Sequence, residues 1–186
     1  MTGKIWGSGA VLLSVLLLAN TAPDAFDRVV ASLVSGSMAE RSGRADAMLA
    51  AATALIQEGA RPLGDSPDVA LRWQSRGRSA GGKSRAAEAA YRNRALGAGY
   101  RMIALPAGAT VQFDQTFLAG QRARVAIVPF TKGEFGLSVR DDQGQSVCVR
   151  PAYASQCDWV PNWTTRYEIL LSNLGRVKSH YYIVMQ

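Results

Sequence analysis

Two cysteines are the residues of this 186-residue chain with the clearest chemistry. Cys148 and Cys157 are separated by nine positions, and the chain has no other cysteine. In an exported protein an even cysteine count indicates a disulfide, and the alternative is a pair of thiolate ligands for a metal ion. Two thiolates do not complete a zinc site, and the single histidine, His180, lies far along the chain. We therefore predict one disulfide between Cys148 and Cys157, no metal site and no cofactor.

The sequence shows no assembled set of catalytic motifs. His180 falls in a predicted terminal strand beside two tyrosines, where a histidine is usually structural or exposed. No Gly-x-Ser-x-Gly motif accompanies it. Residues 81–84 read Gly-Gly-Lys-Ser but lack the leading glycine and the preceding strand of a phosphate-binding loop. Paired carboxylates stay open, because such pairs form in space rather than in sequence. We predict no catalytic residues and expect that the protein is not an enzyme.

An aromatic cluster near the cysteines offers a second kind of chemistry. The side chains that would form a platform for stacking on sugars are Trp159, Trp163, Tyr153 and Tyr167. Arg150 and Arg166 would supply polar contacts to such a ligand. The alternative interpretation is that the tryptophans, which flank Pro161, cover one end of a β-sandwich core or the disulfide.

The first 22 residues predict a secretory signal peptide. Lys4 is the only charged residue before Asp24, and residues 10–19 are an apolar run of ten residues. That length is within the range of a signal peptide and short for a membrane span. Several small residues blur the cleavage site, for which we favour Ala22. The alternative is a retained anchor, the one case in which we expect membrane contact; otherwise we expect the protein in the periplasm or secreted.

The net charge of +7 indicates an anionic partner, or it only aids solubility. Export separates the chain from nucleic acid, and no base-reading motif accompanies the charge, so we exclude nucleic acid as a partner. Much of the charge falls in 62–101, which we interpret as a basic linker containing Gly and Ser, with a further helix at 83–96. This linker would either connect the two regions in solvent or bind anionic lipid or polysaccharide.

Residues 23–61 show the apolar spacing of helices. Apolar residues recur at intervals of three or four in two groups: Phe26, Val29, Val30, Leu33 and Val34, then Met48, Leu49, Ala52, Leu55 and Ile56. Ser-Gly-Ser at 35–37 and Ser-Gly at 42–43 interrupt the pattern, and Gly59 with Pro62 gives a stop signal. The pattern predicts two short amphipathic helices or one broken helix, with the apolar stripe as a packing face.

Residues 102–186 show the alternation of β-strands. Apolar residues recur with a period of two in 110–117, 122–128, 135–139, 167–171 and 181–185. Turn signals rich in Gly, Asn and Asp separate these segments. The predicted fold class is therefore α+β, with a helical N-terminal region followed by an antiparallel β-sandwich or jelly-roll domain.

Four segments of this region resemble the pre-peptidase C-terminal domain, a small β-sandwich of secreted bacterial proteins that often stands beside proteases. They are 117–125, 137–144, 173–175 and 181–183. Residues 157–164, Cys-Asp-Trp-Val-Pro-Asn-Trp-Thr, are similar to a segment of short exported bacterial proteins of unassigned function. Related domains often carry Asp-x-Asp before the glycine turn as part of a calcium site, whereas 134–137 here read Glu-Phe-Gly-Leu.

The resemblance and the missing catalytic motifs together favour an exported, non-enzymatic accessory or interaction module of the bacterial envelope. Its partner would be a protein or an envelope polymer. One alternative is a carbohydrate- or cell-wall-binding module that uses the aromatic cluster or the basic segment. The other is a protease-associated domain or an inhibitor.

Overall fold

The computed structural model of the protein describes residues 23–83, 97–131, 133–150 and 156–186. The predicted leader (1–22), residues 84–96 of the predicted linker helix and Tyr153 lie outside these ranges. Within them, no helix is both long and apolar enough to cross a membrane.

Two helices form the N-terminal region, which decides between the alternatives of two helices and one broken helix. Helix α1 spans Ala25–Ser42 and helix α2 spans Ala45–Gln57. The carboxylate of Asp24 caps α1 by accepting a hydrogen bond from the amide of Asp27 at 3.0 Å. Gly43, at φ 67°, ends α1 in the left-handed conformation that glycine adopts at little cost.

A third helix corrects the expectation that 62–101 is a linker. Helix α3 spans Val69–Ser79, and its Trp73 is completely buried. The ring of Trp73 lies so close to Gly36 of α1 that a Cβ there would overlap it. Besides Trp73, α3 buries only small or medium side chains, and Gly77 packs against Leu49 of α2. The helix therefore lacks the periodic pattern that would reveal it in the sequence.

Two arginines of the predicted basic linker are used inside the fold. Arg72 donates to Glu40 of α1 at 3.0 Å, and Arg76 also donates to Glu40. The indole of Trp73 donates to the same carboxylate at 2.9 Å. Part of the positive charge that suggested a solvated linker or an anion-binding segment is therefore used in ion pairs between α3 and α1.

Nine strands make two sheets. They are β1 (Arg61–Pro62), β2 (Gly99–Leu105), β3 (Thr110–Phe117), β4 (Ala123–Pro129), β5 (Phe135–Arg140), β6 (Ser146–Arg150), β7 (Gln156–Trp159), β8 (Thr165–Asn173) and β9 (Ser179–Met185). One sheet has the order β1-β2-β9-β4-β7 and the other β3-β8-β5-β6. The short β1 pairs with β2 in parallel, so the first sheet is mixed, and β2 begins within the predicted linker.

The five-stranded sheet lies between the helices and the four-stranded sheet. Val125 and Ile127 of β4 point into the core between the sheets, whereas Ala126 and Val128 pack against the helices. A strand buried on both faces is typical of a sheet covered on both sides. The predicted α+β class and the sandwich are confirmed, and the helices form a third layer on the sandwich.

The predicted disulfide is confirmed. Cys148 on β6 is bonded to Cys157 on β7, with the two Cα atoms 6.0 Å apart. Since β6 is the edge of the four-stranded sheet and β7 the edge of the five-stranded sheet, the bond closes one side of the sandwich.

Candidate functional site

Two loops meet at one end of the sandwich and expose three large apolar side chains. The amide of Gly120 donates to the carbonyl of Pro161 at 2.9 Å, and the amide of Ala119 donates to Oγ1 of Thr164 at 2.9 Å. The exposed residues on these loops are Leu118 (50%), Val160 (58%) and Trp163 (79%). We call these three residues the tip. Exposed apolar residues that occur together, rather than singly, mark interaction sites.

The predicted aromatic platform is divided by the fold. Trp159 is half-buried, with its ring centroid 5.0 Å from that of Phe117 and 5.4 Å from that of buried Tyr167. It covers the end of the core, as the alternative interpretation describes. Pro161 is buried and turns the chain, so that Trp163 points to solvent. Only Trp163 of these described aromatic residues is free to stack on a ligand.

A cleft of about 370 Å³ opens between the ends of the two sheets beside Leu118. Its apolar surface includes Leu63, Phe117 and Met185. Two arginines, Arg61 and Arg122, also line it, and none of the described residues around it is acidic. The cleft therefore combines apolar and polar surface, and its charged side chains are Arg61 and Arg122.

Arg122 connects the cleft to the start of the helical layer. Its guanidinium pairs with Asp158 of β7 through Nε at 2.9 Å and Nη2 at 2.5 Å. Its Nη1 also lies 3.4 Å from Oδ2 of Asp24. The side-chain hydrogen bond and the charge of Asp158 raise the pKa of Arg122. Of the two arginines that line the cleft, Arg122 therefore already forms an ion pair with the carboxylate of Asp158 on a neighbouring strand.

Arg124, two residues further along β4, is buried and holds the N-terminus of α1. It donates to Asp24 and, at 2.5 Å, to Oδ1 of Asp27. Its guanidinium carbon stands 4.3 Å from the ring centroid of Phe26. The amide of Asp27 and then the charges of Arg124 and Arg122 hold the pKa of Asp24 below its usual value, against the opposing effect of burial. Asp24 is therefore charged under ordinary conditions, and the start of α1 is anchored at this end of the sheet.

The two arginines predicted to assist the platform contact groups outside the tip. Arg150 is exposed on β6, where its Nε donates to the carbonyl of Gln156 at 3.0 Å. Arg166 is exposed on β8 and pairs with Asp114 of β3 at 3.5 Å. Arg166 borders a second cleft, of about 410 Å³. The residues that line it are Asp114, Arg140, Asp141, Asp142, Gly144, Arg166 and Glu168.

The remaining carboxylates and the histidine, which could act in catalysis or bind a metal ion, do not form a cluster. Asp141 accepts hydrogen bonds from the amides of Gln143 and Gln145, and Asp142 accepts one from the hydroxyl of Thr165. Across the described residues, no three of His, Cys, Asp or Glu gather as a metal site. His180 is exposed on β9, with its ring 5.9 Å from that of Phe130.

Sequence reasoning selected Trp163 but missed its neighbours at the tip and in the cleft. Leu118 and Val160 are ordinary aliphatic residues beside strands, where burial is the usual expectation. Arg61 and Arg122 come together only because β1 is the far end of the sheet that contains β4. The sequence gives one indication that the two tryptophans differ in exposure: Pro161 lies between them and marks a turn that separates them.

No protein-family model and no curated protein sequence matches the chain. Three solved structures are similar to part of it. PliG, a periplasmic inhibitor of g-type lysozyme from Aeromonas hydrophila, is 14% identical, with a TM-score of 0.38 over 48% of this chain and 86% of that chain. The mitogen derived from Yersinia pseudotuberculosis is 8% identical, with a TM-score of 0.42 over 48% of this chain and 84% of that chain.

The third structure is the pre-peptidase C-terminal domain of collagenase from Bacillus anthracis. It is 6% identical, with a TM-score of 0.38 over 46% of this chain and 87% of that chain. It belongs to the family that the four sequence segments resemble. Each likeness concerns the fold of about half of this chain.

Proposed function

We propose that the protein is an exported, non-enzymatic interaction module that binds a component of the bacterial envelope through its tip. The observation that carries this proposal is the exposure of Trp163, at 79%, beside Leu118 and Val160. Tryptophan is among the residues that contribute most to binding when a partner buries them. A soluble domain gains nothing in folding stability from leaving this side chain in water.

The surroundings of the tip support the same proposal. Two hydrogen bonds join the two loops and hold them in a fixed arrangement that exposes the apolar side chains. The neighbouring cleft adds Arg61 at its rim. An apolar centre with a polar border is the usual anatomy of an interaction surface.

Export is part of the proposal. The Cys148–Cys157 disulfide fits an oxidising compartment. We infer that residues 1–22 act as a signal peptide and that cleavage leaves Pro23 as the first residue, one position before the cap of α1. N-terminal sequencing of the periplasmic protein tests this. A sequence that begins at Pro23 supports cleavage, and recovery of an intact N-terminus in the membrane fraction points to the retained anchor instead.

The tip is tested by retention of the purified protein on isolated envelope fractions: membranes, peptidoglycan sacculi and immobilised periplasmic proteins. Trp163→Ala should reduce retention on one fraction by roughly tenfold, the effect of removing a large buried apolar side chain. Val177→Ala is the matched control, because Val177 is 67% exposed but lies in the loop after β8, at the other end of the sandwich. Equal retention of both variants on every fraction would refute the proposal.

A carbohydrate ligand at the cleft beside Arg166 is the second candidate. The observation that favours it is the pairing of exposed Arg166 with Asp114 across neighbouring strands, because such groups offer donors and acceptors to sugar hydroxyls. If this alternative holds, Arg166→Ala should no longer be retained on sacculi, whereas Trp163→Ala should be retained like the native protein.

A further inference from the structure

Helix α1 begins at the same end of the sandwich as the tip. Asp24 lies 3.4 Å from Arg122, measured from Oδ2 to Nη1. Arg122 is four residues from Leu118, a stretch that spans at most about 14 Å when fully extended. The residues that precede Asp24 in the sequence therefore join the structure at the same end as the exposed apolar side chains.

Those preceding residues are the most lipid-like part of the sequence. From Ile5 to Pro23 no residue is charged, and residues 10–19 are apolar except for Ser14. A segment of this kind is inserted into the membrane during export, whether it is afterwards cleaved or kept. A protein that folds while this segment still lies in the bilayer would therefore have the end of the sandwich next to Asp24 nearest to the lipid.

The side chains at that end suit the boundary between water and lipid. Tryptophan is enriched at membrane interfaces, where its ring lies among the headgroups. Leu118 and Val160 add aliphatic surface beside Trp163 on the same pair of loops. Arg61 is exposed in a cleft whose described lining has no acidic residue, and a guanidinium binds phosphate well. The whole chain carries a net charge of +7, which favours an anionic surface.

We propose that the envelope component bound by the tip is the surface of an anionic phospholipid bilayer. Trp163, Leu118 and Val160 enter the headgroup region, and Arg61 contacts lipid phosphate. This inference rests on the proposed function, since it identifies the chemical class of the partner of the same site.

The test uses the full chain expressed with its own leader and purified from the envelope, mixed with vesicles of phosphatidylglycerol or of phosphatidylcholine. Lipids brominated in the acyl chains quench a tryptophan that reaches them. The difference in quenching between the native protein and Trp163→Phe isolates the signal of Trp163. Partition is compared on the fraction of each variant whose N-terminus is Pro23, because a retained leader would insert into every vesicle and mask the contribution of the tip.

We expect brominated phosphatidylglycerol to quench Trp163 and the emission of this residue to shift to shorter wavelength. Trp163→Ala should weaken partition into phosphatidylglycerol vesicles roughly tenfold, whereas Val177→Ala should leave it unchanged. Arg61→Ala should weaken it about fivefold on phosphatidylglycerol and leave binding to phosphatidylcholine unaltered. Circular dichroism of each variant verifies that the fold is intact.

Absence of quenching, with equal partition of the native protein and Trp163→Ala, would overturn the lipid inference. If Trp163→Ala then still loses retention on sacculi or on a periplasmic protein, the tip is the binding surface and only its partner was misassigned. If Trp163→Ala is retained like the native protein on every fraction, the proposed function fails as well.

Discussion

Arg124 holds both carboxylate oxygens of Asp24, with its Nη1 at 2.7 Å from Oδ1 and 2.6 Å from Oδ2. The two residues are 100 positions apart in the chain. The contact joins the buried strand β4 to the capping residue of α1, so it connects the helical layer to the sandwich. It adds to the apolar core that the helices share with the five-stranded sheet, which makes them a layer of the domain rather than a separate arm.

Replacing Arg124 should therefore loosen the helical layer. Arg124→Ala is expected to lower the free energy of unfolding by about 2–3 kcal/mol, because a buried guanidinium loses its hydrogen bonds and its packing on Phe26. Arg122→Ala is the control on the same strand. Arg122 is well exposed, so its ion pair should contribute less than about 1 kcal/mol. Urea unfolding of the two variants measures the difference, and equal losses would show that Arg124 has no special role.

The contact of the Trp73 ring with α1 predicts a penalty for any side chain at Gly36. Gly36→Ala is expected to lower the free energy of unfolding by about 2–3 kcal/mol, because the new methyl group overlaps the ring of Trp73. Ser35→Ala, one residue away on the exposed side of α1, should change it by less than about 0.5 kcal/mol. Equal midpoints of thermal unfolding for both variants would contradict the claim that the ring of Trp73 packs against Gly36.

The carboxylate of Glu40 makes the protein sensitive to acid. Burial by itself would raise the pKa of Glu40, but the hydrogen bond from Trp73 and the charges and hydrogen bonds of Arg72 and Arg76 outweigh it. The pKa in the folded state is therefore below its usual value of 4.5. The stability that this group contributes is present above pH 4.5 and is lost as the pH falls through the lower, folded-state pKa.

Glu40→Gln tests this origin of acid sensitivity, because it replaces the carboxylate with a neutral group of similar shape. We expect the variant to be less stable than the native protein at pH 7 and to lose less stability between pH 5 and pH 3. Urea titrations at each pH measure both effects. A native-like pH profile in Glu40→Gln would assign the acid sensitivity to other carboxylates.

The disulfide should stabilise the sandwich by restricting the unfolded chain. Because it closes a loop of about ten residues, its reduction is expected to lower the free energy of unfolding by about 2–3 kcal/mol. A variant with both Cys148→Ala and Cys157→Ala is the control, and reductant should not affect it. Denaturation with and without dithiothreitol compares the two proteins. An unchanged midpoint for the native protein would mean that the bond adds no stability.

Local patterns predicted those parts of the fold in which one side of an element is buried. Alternation identified β3 and β8, whose outer faces are polar, and spacing identified α1 and α2. The disulfide was predictable from two cysteines and a leader, without any knowledge of the strands that carry them.

Features that depend on distant contacts could not be predicted in this way. Helix α3 depends on Trp73 meeting Gly36, two residues that no local pattern connects. Trp159 packs against Phe117 at the end of the core, whereas the turn at Pro161 leaves Trp163 in solvent. The cleft exists because β1 and β4 belong to one sheet, which is a property of topology rather than of sequence spacing.

The central claim, that the tip is the binding surface, is tested most directly by acrylamide quenching of Trp163 in the presence of isolated envelope. Of the described tryptophans, Trp73 is buried and Trp159 is half-buried, so the difference between the native protein and Trp163→Phe reports on Trp163. We predict that saturating envelope reduces the quenching of Trp163 by at least about half, because a bound partner excludes solvent from binding hot spots. Full quenching of Trp163 while the protein remains bound to the envelope would contradict the claim.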